Sequence, residues 1–181
     1  MGDLATLEEL ATFVGRTLTP AGSGEQPTTE EQALTIASST VRTYLGHQVS
    51  LQEETYVLDG TGTTFLRLPG FPIIDIAAVE EDGEEVPAEA YKVSPTGYLL
   101  RTDGHKWTHN PGGIEITFTA GFDPVPAVIV GAVLNLAARI SDGSANIKQE
   151  TIGSYNVTYA TPTPTLQAAE MMAIEPYRIR E

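Results

Sequence analysis

His105 and His109 stand four residues apart, a spacing that would place both imidazoles on one helix face to hold a metal. They lie between Gly104 and Pro111-Gly112-Gly113, which disfavours a helix, and a zinc site would need further ligands. Solvated loop histidines are the expectation. Glu80-Glu81-Asp82 and Glu84-Glu85 lack the alternating ligands of a calcium loop and read as an acidic hairpin tip. Asp59-Gly60-Thr61-Gly62 is glycine-rich but opens no helix, so it fails as a phosphate cradle. It reads instead as the turn of a hairpin joining residues 56–58 to 65–68. No Gly-x-Ser-x-Gly elbow, phosphate loop or His-Glu-x-x-His occurs. The absence of cysteine removes thiolate ligands and thiol nucleophiles. The expectation is a chain with no catalytic residue, metal or cofactor. Three features remain. His47 follows a helix end, where a cation meets the last carbonyls. Trp107 is either a contact anchor or a cover for an open end of a β module. The last residues, Pro176-Tyr177-Arg178-Ile179-Arg180-Glu181, include Tyr177, Arg178 and Arg180, residue types enriched at interface hot spots.

The elements that would carry these residues read as an α+β fold: a small helical bundle around a central apolar helix, an inserted antiparallel β module, and a C-terminal strand or hairpin plus short helix. Thr6 and Glu9 have capping-box spacing ahead of Leu7, Leu10, Phe13 and Val14. A second box at Thr29 and Gln32 predicts a helix over about residues 30–45, ended by Gly46. Residues 51–121 turn β-branched and aromatic, with Asp82-Gly83 suited to a type I′ turn. Pro95-Thr96-Gly97 is read as a further turn between strands, and 114–118 alternates cleanly. Asp123 as N-cap and Pro124 at the first helical position predict the start of the central helix. From 128 to 140 it is apolar nearly all round. Residues 152–159 read as a strand or hairpin arm, 161–164 as a stiff linker, and 165–174 as a last helix stopped by Pro176. The expected organisation is 1–50 with 122–175 as a helical core, 51–121 as the inserted module and 176–181 as a tail.

With 10 basic against 24 acidic residues the net charge is −14, so the chain has few cations to release counterions from DNA. No run of about 18 apolar residues exists to span a membrane.

The ordered set of motifs points further. Tyr44-Leu45-Gly46 ends the second helix. Leu68-Pro69-Gly70-Phe71-Pro72 lies within the β insertion, and Ile116-Thr117-Phe118-Thr119-Ala120-Gly121-Phe122 closes it. Val125-Pro126 then leads into Ala132-Val133-Leu134-Asn135-Leu136-Ala137-Ala138-Arg139, followed by Ile152-Gly153-Ser154-Tyr155-Asn156-Val157-Thr158-Tyr159 and Pro176-Tyr177-Arg178. From about Leu7 to Arg180 this resembles the head-to-tail connector, or adaptor, proteins of long-tailed bacteriophages. The resemblance implies a structural virion protein located in the neck and assembled in the host cytoplasm. It implies a homo-oligomeric ring, commonly a dodecamer, beneath the portal protein, which joins capsid to tail and presents a surface to the next neck protein, a stopper or tail terminator. DNA would pass through the lumen without sequence-specific binding, and an acidic lumen would repel phosphates within a Debye length of about 8 Å. The tail residues Pro176, Tyr177, Arg178 and Arg180 are the candidates for docking on the portal. Val130, Leu134 and Arg139 are the candidates for the ring interface, because the central helix has more apolar surface than one core requires. The rival readings are a stopper or tail-completion protein, and a β-rich module binding glycans or a host protein through Trp107 and Tyr98.

Overall fold

The structure, a computed structural model, describes residues 2–142, 149–152, 155–158 and 165–179, with 149–152 and 155–158 described by backbone alone. In chain order the elements begin with α1 (Leu7–Val14) and α2 (Thr29–Leu45). There follow β1 (Gln52–Leu58), β2 (Phe65–Arg67), β3 (Ile73–Glu81), β4 (Glu84–Glu85), a 3-10 turn (Ala88–Ala90), β5 (Tyr91–Ser94), β6 (Tyr98–Arg101) and β7 (Ile114–Ala120). The chain then returns to helix with α3 (Ala127–Ser141), makes the β8 (Gln149–Ile152) and β9 (Tyr155–Thr158) hairpin, and ends with α4 (Ala168–Ile174) and a 3-10 turn (Glu175–Tyr177). The fold is α+β, as the patterning predicts. It separates into two compact units, Met1–Leu45 with Pro126–Pro176, and Gly46–Val125 with Tyr177–Glu181.

In the helical unit α3 packs against α2, α1 and α4. Where α3 packs on α2, α3 buries Ile129, Val133, Leu136 and Ala137, and α2 buries the stripe Ala33, Leu34, Ala37, Val41 and Leu45. The capping box of α1 forms as its spacing predicts, with the Glu9 N–H donating to Thr6 Oγ1 at 3.1 Å and the Thr6 N–H to Glu9 at 2.7 Å. Gly15 closes the helix in the left-handed region.

The box of α2 sits one residue earlier than the predicted pair Thr29 and Gln32. The Glu31 N–H donates to Thr28 Oγ1 at 3.2 Å and the Thr28 N–H to Glu31 at 2.7 Å. Glu31 also accepts from the Ala21 N–H at 3.3 Å, so one carboxylate fastens both the helix start and the preceding loop. Those hydrogen bonds hold the Glu31 carboxyl below its ordinary range.

The central helix also begins later than predicted, at Ala127, with Pro126 as its cap instead of Asp123. Val125 precedes a proline and is thereby pushed out of helical geometry, so a helix cannot run through Pro124 and Val125. The last helix is shorter than expected. It starts at Ala168, where Gln167 and Glu170 form its capping box, and Pro176 continues it as a 3-10 turn. The 161–164 linker and residues 153, 154 and 159 lie outside the described residues.

The β unit holds a four-stranded antiparallel sheet in the order β1-β7-β3-β4 and a three-stranded sheet in the order β2-β6-β5. Alternation along β7 sends Ile114, Ile116, Phe118 and Ala120 to the core, where they join Leu66, Leu68, Val79, Leu99 and Trp107. The other face shows Glu53, Thr55 and Val57 of β1 beside Glu115, Thr117 and Thr119 of β7, with a Thr55–Thr117 hydroxyl contact of 2.7 Å. Asp82 and Gly83, at φ 53° and 82°, make the predicted two-residue turn. The turn at 95–97 also forms as expected, between β5 and β6.

The hairpin predicted around Asp59-Gly60-Thr61-Gly62 does not form. β1 pairs with β7, and β2 pairs with β6, so this segment crosses from one sheet to the other. Gly60 N–H donates to the Asn110 carbonyl at 3.0 Å and Gly62 N–H to the Thr108 carbonyl at 2.9 Å. A Cβ on Gly60 would stand 2.2 Å from the Thr108 oxygen, and one on Gly62 1.8 Å from the His109 ring. The glycines serve close approach to the 108–110 loop, which no local pattern announces.

Candidate functional site

The groups with chemical potential in the β unit are spent on structure. His105 and His109 are exposed loop residues, and among the described residues no group of three or more potential ligands could hold a metal. Trp107 is 1% exposed and fills the core. The Arg101 guanidinium lies 4.8 Å above its ring and is fixed by Glu81 at 2.7 Å and Asp103 at 3.0 Å. Burial pushes the Asp103 carboxyl up, while the His105 N–H and Arg101 pull it further down, so it stays below its ordinary range. Trp107 is therefore the cover and not an exposed contact anchor, which removes the feature that favoured a glycan-binding module. Tyr98 is exposed and carries Arg67 against its ring and hydroxyl.

The helical unit presents open apolar surface. Phe13 is 49% exposed, Ile36 48% and Met172 77%. Two shallow grooves accompany them. One, of about 480 Å³, is formed by α1 residues Thr12 and Phe13 with Leu134 of α3. The other, of about 630 Å³, runs along Ile36, Thr40 and Thr43 of α2 to Leu166 and Met171. Of the ring-interface candidates, Val130 is half-buried and Leu134 is buried at the floor of the first groove. Arg139 makes a bidentate pair with Glu170, at 2.7 and 2.8 Å, and donates to the Thr165 carbonyl at 3.3 Å. It fastens α4 to α3. Burial pushes the Glu170 carboxyl up, while Arg139 and the Gln167 N–H hold it down more strongly, below its ordinary range.

The tail is divided. Pro176 and Arg178 are exposed, and Tyr177 and Ile179 are half-buried, while Arg180 lies outside the described residues. The Tyr177 ring meets Phe122 edge-on at 5.6 Å, within a series in which Phe122 meets Phe71 and Phe71 meets His47. The Tyr177 carbonyl lies 2.8 Å from His47 Nε2. The structure thus brings His47 and Tyr177 together across 130 residues of chain.

Residues 4–179 match the family described as "HCP: Head completion protein". The chain belongs to the head completion protein family. This membership agrees with the resemblance to phage head-to-tail connectors read from the motifs. No curated protein matches the sequence. Among solved structures, a chain in "Neck of native GTA particle computed with C12 symmetry" is similar at a TM-score of 0.60 and 19% identity, covering 86% of this chain and 84% of that one. A chain in "Virion of native gene transfer agent (GTA) particle" gives 0.59 and 18%, covering 95% and 89%. A chain in "Neck of empty GTA particle computed with C6 symmetry" gives 0.59 and 19%, covering 96% and 89%. These likenesses establish a shared fold.

Within this member of the family, His47 is the residue the sequence conceals. Its position after a helix end suggests a cation facing helix carbonyls. Its carbonyl partners are instead Gln48 and Tyr177, the second far away in the chain.

Proposed function

We propose that this head completion protein is a structural subunit of a virion neck, an adaptor forming a ring beneath the portal protein that joins capsid to tail and lets DNA pass. The family match across residues 4–179 carries the reading. The open apolar faces at Phe13, Ile36 and Met172 suit side-by-side packing of copies, since a ring buries two different patches of each subunit against its neighbours. In this reading Val130, Leu134 and Arg139 are the ring-interface candidates on α3, with half-buried Val130 the more accessible of the two apolar ones and Arg139 holding α4 through Glu170.

The charge supports passage of DNA without a grip. Five arginines are already engaged: Arg16 with Glu30, Arg42 with the Gly2 carbonyl, Arg67 with Tyr98, Arg101 with Glu81, and Arg139 with Glu170. A net charge of −14 leaves little to neutralise phosphates.

The segment Pro176, Tyr177, Arg178 and Arg180 is the proposed portal contact, with Pro176 and Arg178 presented at the surface. The partner on the other side is the next neck protein. The test is a pull-down with the portal ring. Full-length protein should be retained, and a variant lacking 176–181 should be lost from the bead; equal retention of both would overturn the tail assignment.

A further inference from the structure

The sheets β2-β6-β5 and β1-β7-β3-β4 share one core, to which the first sends Leu66 and Leu99 and the second Val79, Ile116 and Phe118. Side chains alternate along a strand, so the remaining positions of each sheet face outward, on opposite sides of the β unit. On the smaller sheet the register places Phe65, Leu100 and Lys92 in one outward row and Arg67, Tyr98 and Ser94 in the next. Phe65 is 56% exposed and Tyr98 39%. The Arg67 guanidinium lies 5.2 Å from the Tyr98 ring centroid and donates to its hydroxyl at 2.8 Å. Those two side chains are thus held in place before any partner arrives, which lowers the cost of binding. In a chain of net charge −14, these two rows carry two cations and no carboxylate.

The larger sheet has the opposite character. Glu85, Glu80, Glu115 and Val57 form one outward row across its four strands, and Glu53 stands further along β1 on the same face. All four carboxylates are exposed, and Val57 is 63% exposed. No Lys or Arg occurs in any of these strands. Three carboxylates directly opposite one another repel, and a cation from outside the sheet would relieve them.

We propose that the aromatic-basic face of β2-β6-β5 in one copy docks on the acidic face of β1-β7-β3-β4 in a second copy. Lys92 and Arg67 meet the carboxylate row, and Phe65 and Tyr98 supply apolar contact to the surface that includes Val57. Charge complementarity selects this occupant. Single-stranded nucleic acid also stacks on aromatic-basic sheets, but two cations on a chain of −14 neutralise few phosphates. The contact joins two different faces on opposite sides of one unit, so each copy can engage a neighbour on either side, as a ring requires. The inference deepens the ring reading and rests on it for closure of the ring.

The test is analytical ultracentrifugation of the full chain in low and high salt, with carbodiimide cross-linking of mixed isotope-light and isotope-heavy copies. Association should rise with concentration and weaken as salt rises. Cross-links between light and heavy copies should join Lys92 to Glu80, Glu85 or Glu115. Lys92→Glu and Glu80→Lys should each weaken association about tenfold, and both together in one chain should restore most of it, because cation and carboxylate have exchanged places. Phe65→Ser, at an exposed position, should weaken it to a similar extent. Glu80→Lys removes a like-charge contact from the folded sheet, so weaker association in that variant cannot be put down to misfolding. Association indifferent to all these substitutions would overturn the sheet contact while leaving a ring built through the helical unit. A chain that stays monomeric in low salt, or whose Phe65 and Tyr98 hold a single-stranded oligonucleotide instead of a second copy, would overturn it too. The portal pull-down judges the neck reading separately.

Discussion

Arg101 shows how one side chain can decide the state of several. It covers the Trp107 ring, neutralises Glu81 and Asp103, and has only 10% of its side chain exposed. Replacing it by methionine keeps the stem but strands Glu81 without its cation, which should cost about 2–3 kcal/mol in urea unfolding. Trp107→Ala should cost more, about 3–5 kcal/mol, because a fully buried indole leaves a cavity. Were Trp107 a surface anchor, that change would be nearly silent. Glu170 adds a pH dependence. Its folded carboxyl titrates below the ordinary range, so its contribution is complete above that range and vanishes as pH falls through the lowered value. Glu170→Gln should therefore flatten part of the acid limb of the stability curve, measured by circular dichroism between about pH 3 and 6. At this scale the sequence reveals types but not partners. Arg139 looks like a free cation in an apolar helix, and its partner Glu170 lies 31 residues on. Nothing local announces that pairing, or the one between His47 and Tyr177.

Elements are more legible, because their signals are local. The capping box of α1, the left-handed glycines after α1 and α2, the Asp82-Gly83 turn and the alternation of β7 all follow from short-range spacing. Errors arise where two local solutions compete. Thr28 and Thr29 are both possible caps, and the choice falls to Thr28 because Glu31 also ties down Ala21. Thr28→Ala should cost about 1 kcal/mol and Thr29→Ala much less, a difference readable by thermal unfolding. Strand pairing is less legible, since β1 finds its partner β7 more than fifty residues away. The pairing of β3 with β4 on one side and β7 on the other brings Glu85, Glu80 and Glu115 into one row across three strands, each directly opposite the next. Like charges so placed are unfavourable. Glu80→Lys should stabilise the sheet by about 0.5–1 kcal/mol in low salt, and the gain should shrink in high salt.

At the scale of the whole molecule, the organisation read from composition is a helical core of 1–50 and 122–175 with a β insertion between, and the structure has two compact units, Met1–Leu45 with Pro126–Pro176 and Gly46–Val125 with Tyr177–Glu181. The family match spans residues 4–179, and the resemblance read from the sequence likewise rests on motifs in order along the chain rather than on any one site. Phe13, Ile36 and Met172 are exposed on the helical unit, and in the proposed ring copies arranged side by side would cover them. The most direct measurement is a cryo-electron microscopy map of the virion that carries this protein. The account predicts a closed ring of this fold between portal and tail, with acidic side chains facing the DNA channel. A neck whose density holds no copy of this fold would contradict it.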